Sequence, residues 1–212
     1  MIEGGIEASR RNWPEAVLVY QAGLKAVPDS SELAARLYVA LTAAKRAPEA
    51  RQHETDWLKR HPSNVGFRFF LGDLALAKKD LDTAERHYRE VLRIQPESPL
   101  ALNNVAWLLA RSKRPGAVAM AEKANSLMPD RPVLMDTLAL ALAAEGRNKE
   151  AVDMMRQAVR LEDKNPQLRF NLATLLVAAG DGPAARAELE ILAKLGNKFP
   201  RQREVTEMLK RL

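Results

Sequence analysis

Prolines set the frame of this chain. Pro28, Pro62 and Pro96 form one series and Pro132, Pro166 and Pro200 a second, and every step inside either series is 34 residues by subtraction. A chain that repeats with a period of 20 to 50 residues does not close one round core. Each repeat is too small to bury its own apolar face, so neighbouring repeats stack and share a continuous core. Alanines carry the same period. Ala16, Ala50, Ala84, Ala117, Ala151 and Ala185 are separated by 34, 34, 33, 34 and 34 residues, again by subtraction. The single 33, matched by the 33 from Pro96 to Pro129, predicts a one-residue deletion in the fourth unit near Ser112-Lys113-Arg114.

Between these marks the apolar residues follow a helical period, and the breaks carry turn chemistry: Lys79-Asp80-Leu81-Asp82, Glu145-Gly146-Arg147-Asn148 and Gly180-Asp181-Gly182-Pro183. First helices are predicted near 31–45, 64–78, 98–111, 132–145 and 166–179. Second helices are predicted near 13–26, 48–60, 81–94, 115–127, 148–161 and 183–195. Pro200 to Leu212 places Val205, Met208, Leu209 and Leu212 at helical spacing opposite charges, as expected of an amphipathic helix that caps an open array.

Leu71-Gly72, Ala84, Tyr88 and Pro96 in one unit, with Leu138-Ala139 and Leu172-Ala173 in others, resemble the tetratricopeptide repeat consensus of small and large apolar residues closed by proline. The resemblance covers almost the whole chain. It implies an all-α, right-handed α-solenoid of stacked antiparallel helix pairs, with first helices lining the concave face and a C-terminal capping helix. The repeats then run as a partial unit at 1–30, full units at 31–64, 65–98, 99–131, 132–165 and 166–199, and a cap at 200–212. Unit two departs from the pattern. Glu54 stands where an aromatic is usual and Leu37-Tyr38 where a leucine and a small residue are usual. With its first unit shortened, the chain reads as the C-terminal part of a longer repeat protein, with Ile2, Ile6 and Trp13 short of cover. The run from Ala101 to Ala110 and the stretch from Pro166 to Leu212 are similar to repeats of bacterial proteins tied to exopolysaccharide export and the exosortase (PEP-CTERM) sorting system.

Composition narrows the chemistry. The chain has 212 residues, 47% hydrophobic and 5% aromatic, and no cysteine, which removes disulfides, thiolate metal sites and cysteine nucleophiles together. No apolar run of about 18 residues occurs and the N-terminus lacks a signal-peptide pattern, so the chain reads as soluble, in either the cytoplasm or the bacterial periplasm. The net charge of +6 is scattered over pairs such as Arg10-Arg11, Lys78-Lys79 and Lys210-Arg211 near helix ends, where cations complement the dipole. Nucleic-acid binding would need aromatics interleaved with these charges, and Trp13, Trp57 and Trp107 do not fall that way. His53, His61 and His87 have no metal-site spacing, and no phosphate-cradling glycine loop or Gly-x-Ser-x-Gly context is present. No catalytic residue, metal site or cofactor is expected.

The binding candidates lie on the first helices. Asn104, Thr137 and Asn171 share one register, with separations of 33 and 34 by subtraction. A carboxamide offers a donor and an acceptor to one peptide group, so such a ladder suits sequence-tolerant recognition of a backbone; capping of exposed carbonyls is the competing role. The adjacent register holds Phe69, Asn103, Asp136 and Phe170, and Asp73, Trp107, Leu140 and Thr174 lie one turn further along. Phe69, Trp107 and Phe170 would anchor a partner, or else serve the core. The clamp for acidic C-termini found in some co-chaperones is not expected, because Asn103 and Asp136 stand where lysines would be wanted. The expected function is a scaffold that holds a protein or peptide, with self-association or charge-driven contact with polysaccharide or nucleic acid as alternatives.

Overall fold

The computed structural model describes residues 2–212, apart from the side chains of Ile2 and Glu3. The expectation for Ile2 therefore falls outside the described residues. Ile6 is exposed and Trp13 half-buried. Thirteen α-helices are described: α1 (Ile2–Ser9), α2 (Trp13–Ala26), α3 (Ser31–Ala43), α4 (Ala47–Arg60), α5 (Val65–Ala77), α6 (Leu81–Ile94), α7 (Pro99–Arg111), α8 (Ala117–Leu127), α9 (Pro132–Ala144), α10 (Asn148–Leu161), α11 (Pro166–Ala178), α12 (Gly182–Ala193) and α13 (Gln202–Arg211), with one 3₁₀ turn at Gly196–Lys198. No strand occurs among the described residues. The helices gather into two compact units, residues 1–96 and 97–212.

The prolines do two jobs, and Pro200, in the turn before α13, does not share that of Pro132 and Pro166. Pro99, Pro132 and Pro166 occupy the first turns of α7, α9 and α11, where a missing N–H costs nothing, whereas Pro28, Pro62 and Pro96 follow second helices and stop them. Side-chain caps complete several starts: Ser30 accepts from Leu33 N, Asn64 from Phe67 N, Asp80 from Thr83 N, Asn165 from Leu168 N and Asp181 from Ala184 N. Each first helix ends in the same way, on a left-handed residue. These residues are Arg11, Lys45, Lys79, Lys113, Gly146 and Gly180.

That register locates the deletion. From Lys45 to Ala50, Lys79 to Ala84 and Gly146 to Ala151 the step is five residues, but from Lys113 to Ala117 it is four, by subtraction. The missing residue therefore falls within Arg114–Gly116, at the downstream edge of the expected position. Its consequence is local. α8 has 11 residues where α6 and α10 have 14, and it starts behind Gly116 at φ +89° with no side-chain cap.

Within residues 1–96, α2 packs on α1 and α3, α3 on α4 and α5, and α5 on α6. Ala16, Val17, Tyr20, Leu33, Leu37 and Leu41 fill one core cluster and Ala34, Trp57, Phe67 and Leu71 the next. Two pairs pack aromatic rings on glycine. A Cβ added at Gly4 would stand 2.5 Å from Tyr20 Cε1, and one at Gly72 would stand 2.6 Å from Tyr88 Cε1. In the repeat between them the sizes are exchanged: Tyr38 is 34 residues from both Gly4 and Gly72, and Glu54 is 34 from both Tyr20 and Tyr88, by subtraction. The aromatic that this slot needs comes from α3, and its ring meets Phe67 and Phe70 edge-on at 6.3 and 6.1 Å.

Within residues 97–212, α7 packs on α8 and α9, α9 on α8, α10 and α11, and α11 on α10 and α12. Asn125 ties α8 to α9 by donating to Ala121 O at 2.9 Å and Leu134 O at 3.0 Å. The amphipathic α13 folds back on α12. Its Val205, with Phe199 from the preceding turn, is buried against Phe170, Ala173, Leu189 and Leu192. Among the described residues no helix is long and apolar enough to cross a membrane.

Candidate functional site

In the second unit the first helices α7, α9 and α11 stand side by side and present one register after another to a common face. Trp107 from α7, Asp136 and Leu140 from α9, and Gln167, Asn171 and Thr174 from α11 line a concavity of about 400 Å³, bounded by Arg111 and by Arg201 at the start of α13. The helical period explains the gathering. Asn103 and Trp107, Asp136 and Leu140, and Phe170 and Thr174 are each one turn apart on a single helix face.

The polar groups are wired to one another. Gln167 Nε2 donates to Asn171 Oδ1 at 2.8 Å, and Asn171 Nδ2 donates to Asp136 Oδ1 at 2.8 Å, bridging α11 to α9. Burial lifts the Asp136 carboxyl above the usual carboxylate range, and the Asn171 hydrogen bond offsets part of that. Each member keeps unused capacity. Asn171 and Gln167 each retain an N–H beyond the one donated to this chain, and Asp136 retains its second oxygen.

Two arginines lie on aromatic rings at the rim. The Arg111 guanidinium lies 4.9 Å from the centre of the Trp107 ring, and that of Arg201 lies 3.8 Å from the Phe170 ring while forking onto Glu204 at 2.8 and 2.6 Å. Phe170 itself is only 3% exposed and leans on Phe199 at 5.9 Å, so it supports the floor and offers little surface.

The expected ladder is therefore only partly a surface feature. Asn171 faces the concavity. Thr137 is 4% exposed and its hydroxyl donates back to Val133 O at 3.3 Å, a local helix bond of the kind that competed with the binding role. Asn103 is 7% exposed; its Nδ2 donates to the half-buried Asn104 at 3.4 Å and its Oδ1 is buried without a partner. Phe69 belongs to the first unit, half-buried, with its ring edge-on to Tyr88 at 5.3 Å. Asp73, beside it in sequence register, accepts from the Tyr88 hydroxyl at 2.6 Å. Arg111, Gln167 and Arg201 were not singled out by sequence. Gln167 carried a signal, being one turn before Asn171 on α11; Arg201 carried none, because its position depends on how the capping helix turns back.

Family models described as tetratricopeptide repeat match residues 4–65, 55–99 and 71–122, and another of that description matches 142–209. A TPR repeat-containing protein of Pseudomonas aeruginosa is 29% identical over 142 residues, covering 64% of this chain and 24% of that protein. Cellulose synthase 1 operon protein C of Komagataeibacter xylinus is 28% identical over 157 residues, covering 72% of this chain and 12% of that protein. The chain thus spans a quarter or less of the length of these two relatives. Among solved structures, YrrB, described as a TPR protein with an unusual peptide-binding site, superimposes with a TM-score of 0.66 at 13% identity, over 89% of this chain and 97% of that one.

Proposed function

The chain belongs to the tetratricopeptide repeat family, whose fold supports protein-interaction scaffolds, and from that premise we propose that the face of α7, α9 and α11 holds a short extended segment of a partner protein. The observation that carries the reading is the Gln167–Asn171–Asp136 chain beside Trp107 at the edge of one concavity. An extended backbone presents N–H and C=O groups in alternation, and this edge presents donors and acceptors with capacity to spare. Trp107 supplies a rigid, half-buried ring of the kind that dominates interfaces. Arg111, which makes no ion pair among the described residues, is free to meet an acidic group of the segment. The peptide-binding site named for YrrB lends support at the level of the fold.

The test is an array of extended peptides, followed by titration of the best binder against the native chain and against Trp107→Ala and Asn171→Ala. Loss of a central aromatic or of a buried hydrogen-bonding partner costs on the order of 1–3 kcal/mol, about 5- to 150-fold in Kd. Unchanged affinity in both variants, with helicity retained, refutes the reading. A steep fall of affinity with salt in the native chain would instead indicate charge-driven contact.

Similarity to a cellulose synthase operon protein favours one class of partner, a component of an exopolysaccharide export machinery. Co-purification of the chain with the components of such a machinery tests that assignment, and its absence for every component removes it.

A further inference from the structure

The exchange of sizes in the second repeat does more than move an aromatic ring. Beside the exchanged Tyr38 and Glu54, a cavity of about 170 Å³ lies in the first unit between α3, α4, α5 and α6. Leu71 and Leu74 give it an apolar wall, Tyr38 an aromatic one, and the half-buried Glu54 and the buried His87 two of its polar groups. The space is well above that of a single water.

His87 is only 6% exposed, lines this cavity, and has no hydrogen bond or ion pair among the described residues. Glu54, half-buried, likewise makes no ion pair or hydrogen bond there; Lys78, exposed at the cavity's edge, and Arg86 act on it only at longer range. Burial holds the imidazole neutral, so that a ring nitrogen can accept a hydrogen bond, and it disfavours the Glu54 charge until a cation arrives. Asp80, whose side chain caps α6 through Thr83 N, adds a second negative charge at the exposed edge.

We propose that this cavity binds a primary alkylammonium group, carried by a lysine side chain of a partner or by a free aliphatic amine. The ammonium gives three donors, enough for Glu54, the His87 ring nitrogen and the Tyr38 hydroxyl or ring face, and its methylenes lie against Leu71 and Leu74. The site is in the first unit and does not depend on the α7, α9 and α11 face.

The test is NMR titration of the whole chain, following the Glu54 carboxyl and the His87 ring, with n-butylammonium, with n-butanol as its neutral counterpart, and with Glu54→Gln as the variant. Circular dichroism establishes that the variant folds. The expected result is saturable binding of n-butylammonium with a millimolar Kd, weakened at least tenfold by Glu54→Gln and absent with n-butanol. An N-acetyl-lysine amide that binds as well as n-butylammonium identifies a partner lysine as the source, whereas exclusion of that amide with binding of 1,5-diaminopentane identifies a free amine. No saturable shift, equal binding by the folded Glu54→Gln chain, or equal binding of n-butanol overturns the proposal.

Discussion

Gly72→Ala tests whether the close approach of α5 and α6 is needed. In an exposed helix interior this change contributes about 1 kcal/mol of stability, because alanine loses less backbone entropy. Here the new methyl carbon would stand 2.6, 2.9 and 3.0 Å from Cε1, Cδ1 and Cζ of Tyr88. The ring has nowhere to go: Tyr88 is 0% exposed and its hydroxyl is held by Asp73 Oδ1 at 2.6 Å. Overpacking of this kind costs about 1–3 kcal/mol, and withdrawal of the ring would strain or lose a hydrogen bond to a charged group worth about 1.5–3 kcal/mol. Against the helix gain, the net expectation is destabilisation of roughly 1–3 kcal/mol. Urea denaturation followed by far-ultraviolet circular dichroism measures it. Gly5→Ala is the matched control, since the nearest atom to its added Cβ, on Arg36, is 4.0 Å away and the helix gain should stand alone. If Gly72→Ala stabilises the chain as Gly5→Ala should, the contact is not a constraint and the reasoning fails.

His87 sets an acid dependence. The unfolded chain takes up its proton near 6.5, while burial, helped by Arg86 and Arg68 and opposed by Glu90, holds the folded imidazole down to about 4, so the stability that His87 contributes should fall as pH drops from about 6.5 to 4. That interval corresponds to at most about 3 kcal/mol, His53 acts in the same direction, and His87→Gln should flatten the slope of denaturation midpoint against pH. At the other end of the chain, Phe199→Ala should cost about 3–5 kcal/mol, because Phe199 is 3% exposed and joins α13 to the Phe170 cluster. The check is denaturant unfolding together with limited proteolysis, where early cleavage within residues 200–212 is expected and an unchanged pattern would count against the packing.

Much of this architecture is legible in the sequence because period and punctuation agree. The starts of α3, α5, α7, α9 and α11 coincide with a capping residue or a proline, and the predicted boundaries of α5, α9 and α11 fall within a residue or so of the observed ones. The deletion resolves to Arg114–Gly116 only once the left-handed residue at Lys113 is seen, since φ is not written in composition. The site is less legible. Register alone puts Asn104, Thr137 and Asn171 on one line, but a helix face has an angular width, and Thr137 falls on its buried side. Phe170 reads as an anchor until Phe199 and Arg201 are folded over it, a contact made across 29 and 31 residues by subtraction and set by the turn before α13. Glu54 and Tyr38 were visible as departures from consensus, but their compensation was visible only in space.

That compensation bears on how such a chain can be recombined. Tyr38 and Glu54 lie within one repeat, as do Gly72 and Tyr88 in the next. A crossover at a repeat boundary carries each matched pair across intact. A crossover in the turn between the two helices of a repeat would instead put Tyr38 opposite a tyrosine, crowding two rings into one slot, or Gly72 opposite a glutamate, leaving a void with a carboxylate facing it. Duplication and shuffling of this chain, in evolution or in the laboratory, should therefore tolerate joints after the second helix of a pair and reject joints after the first.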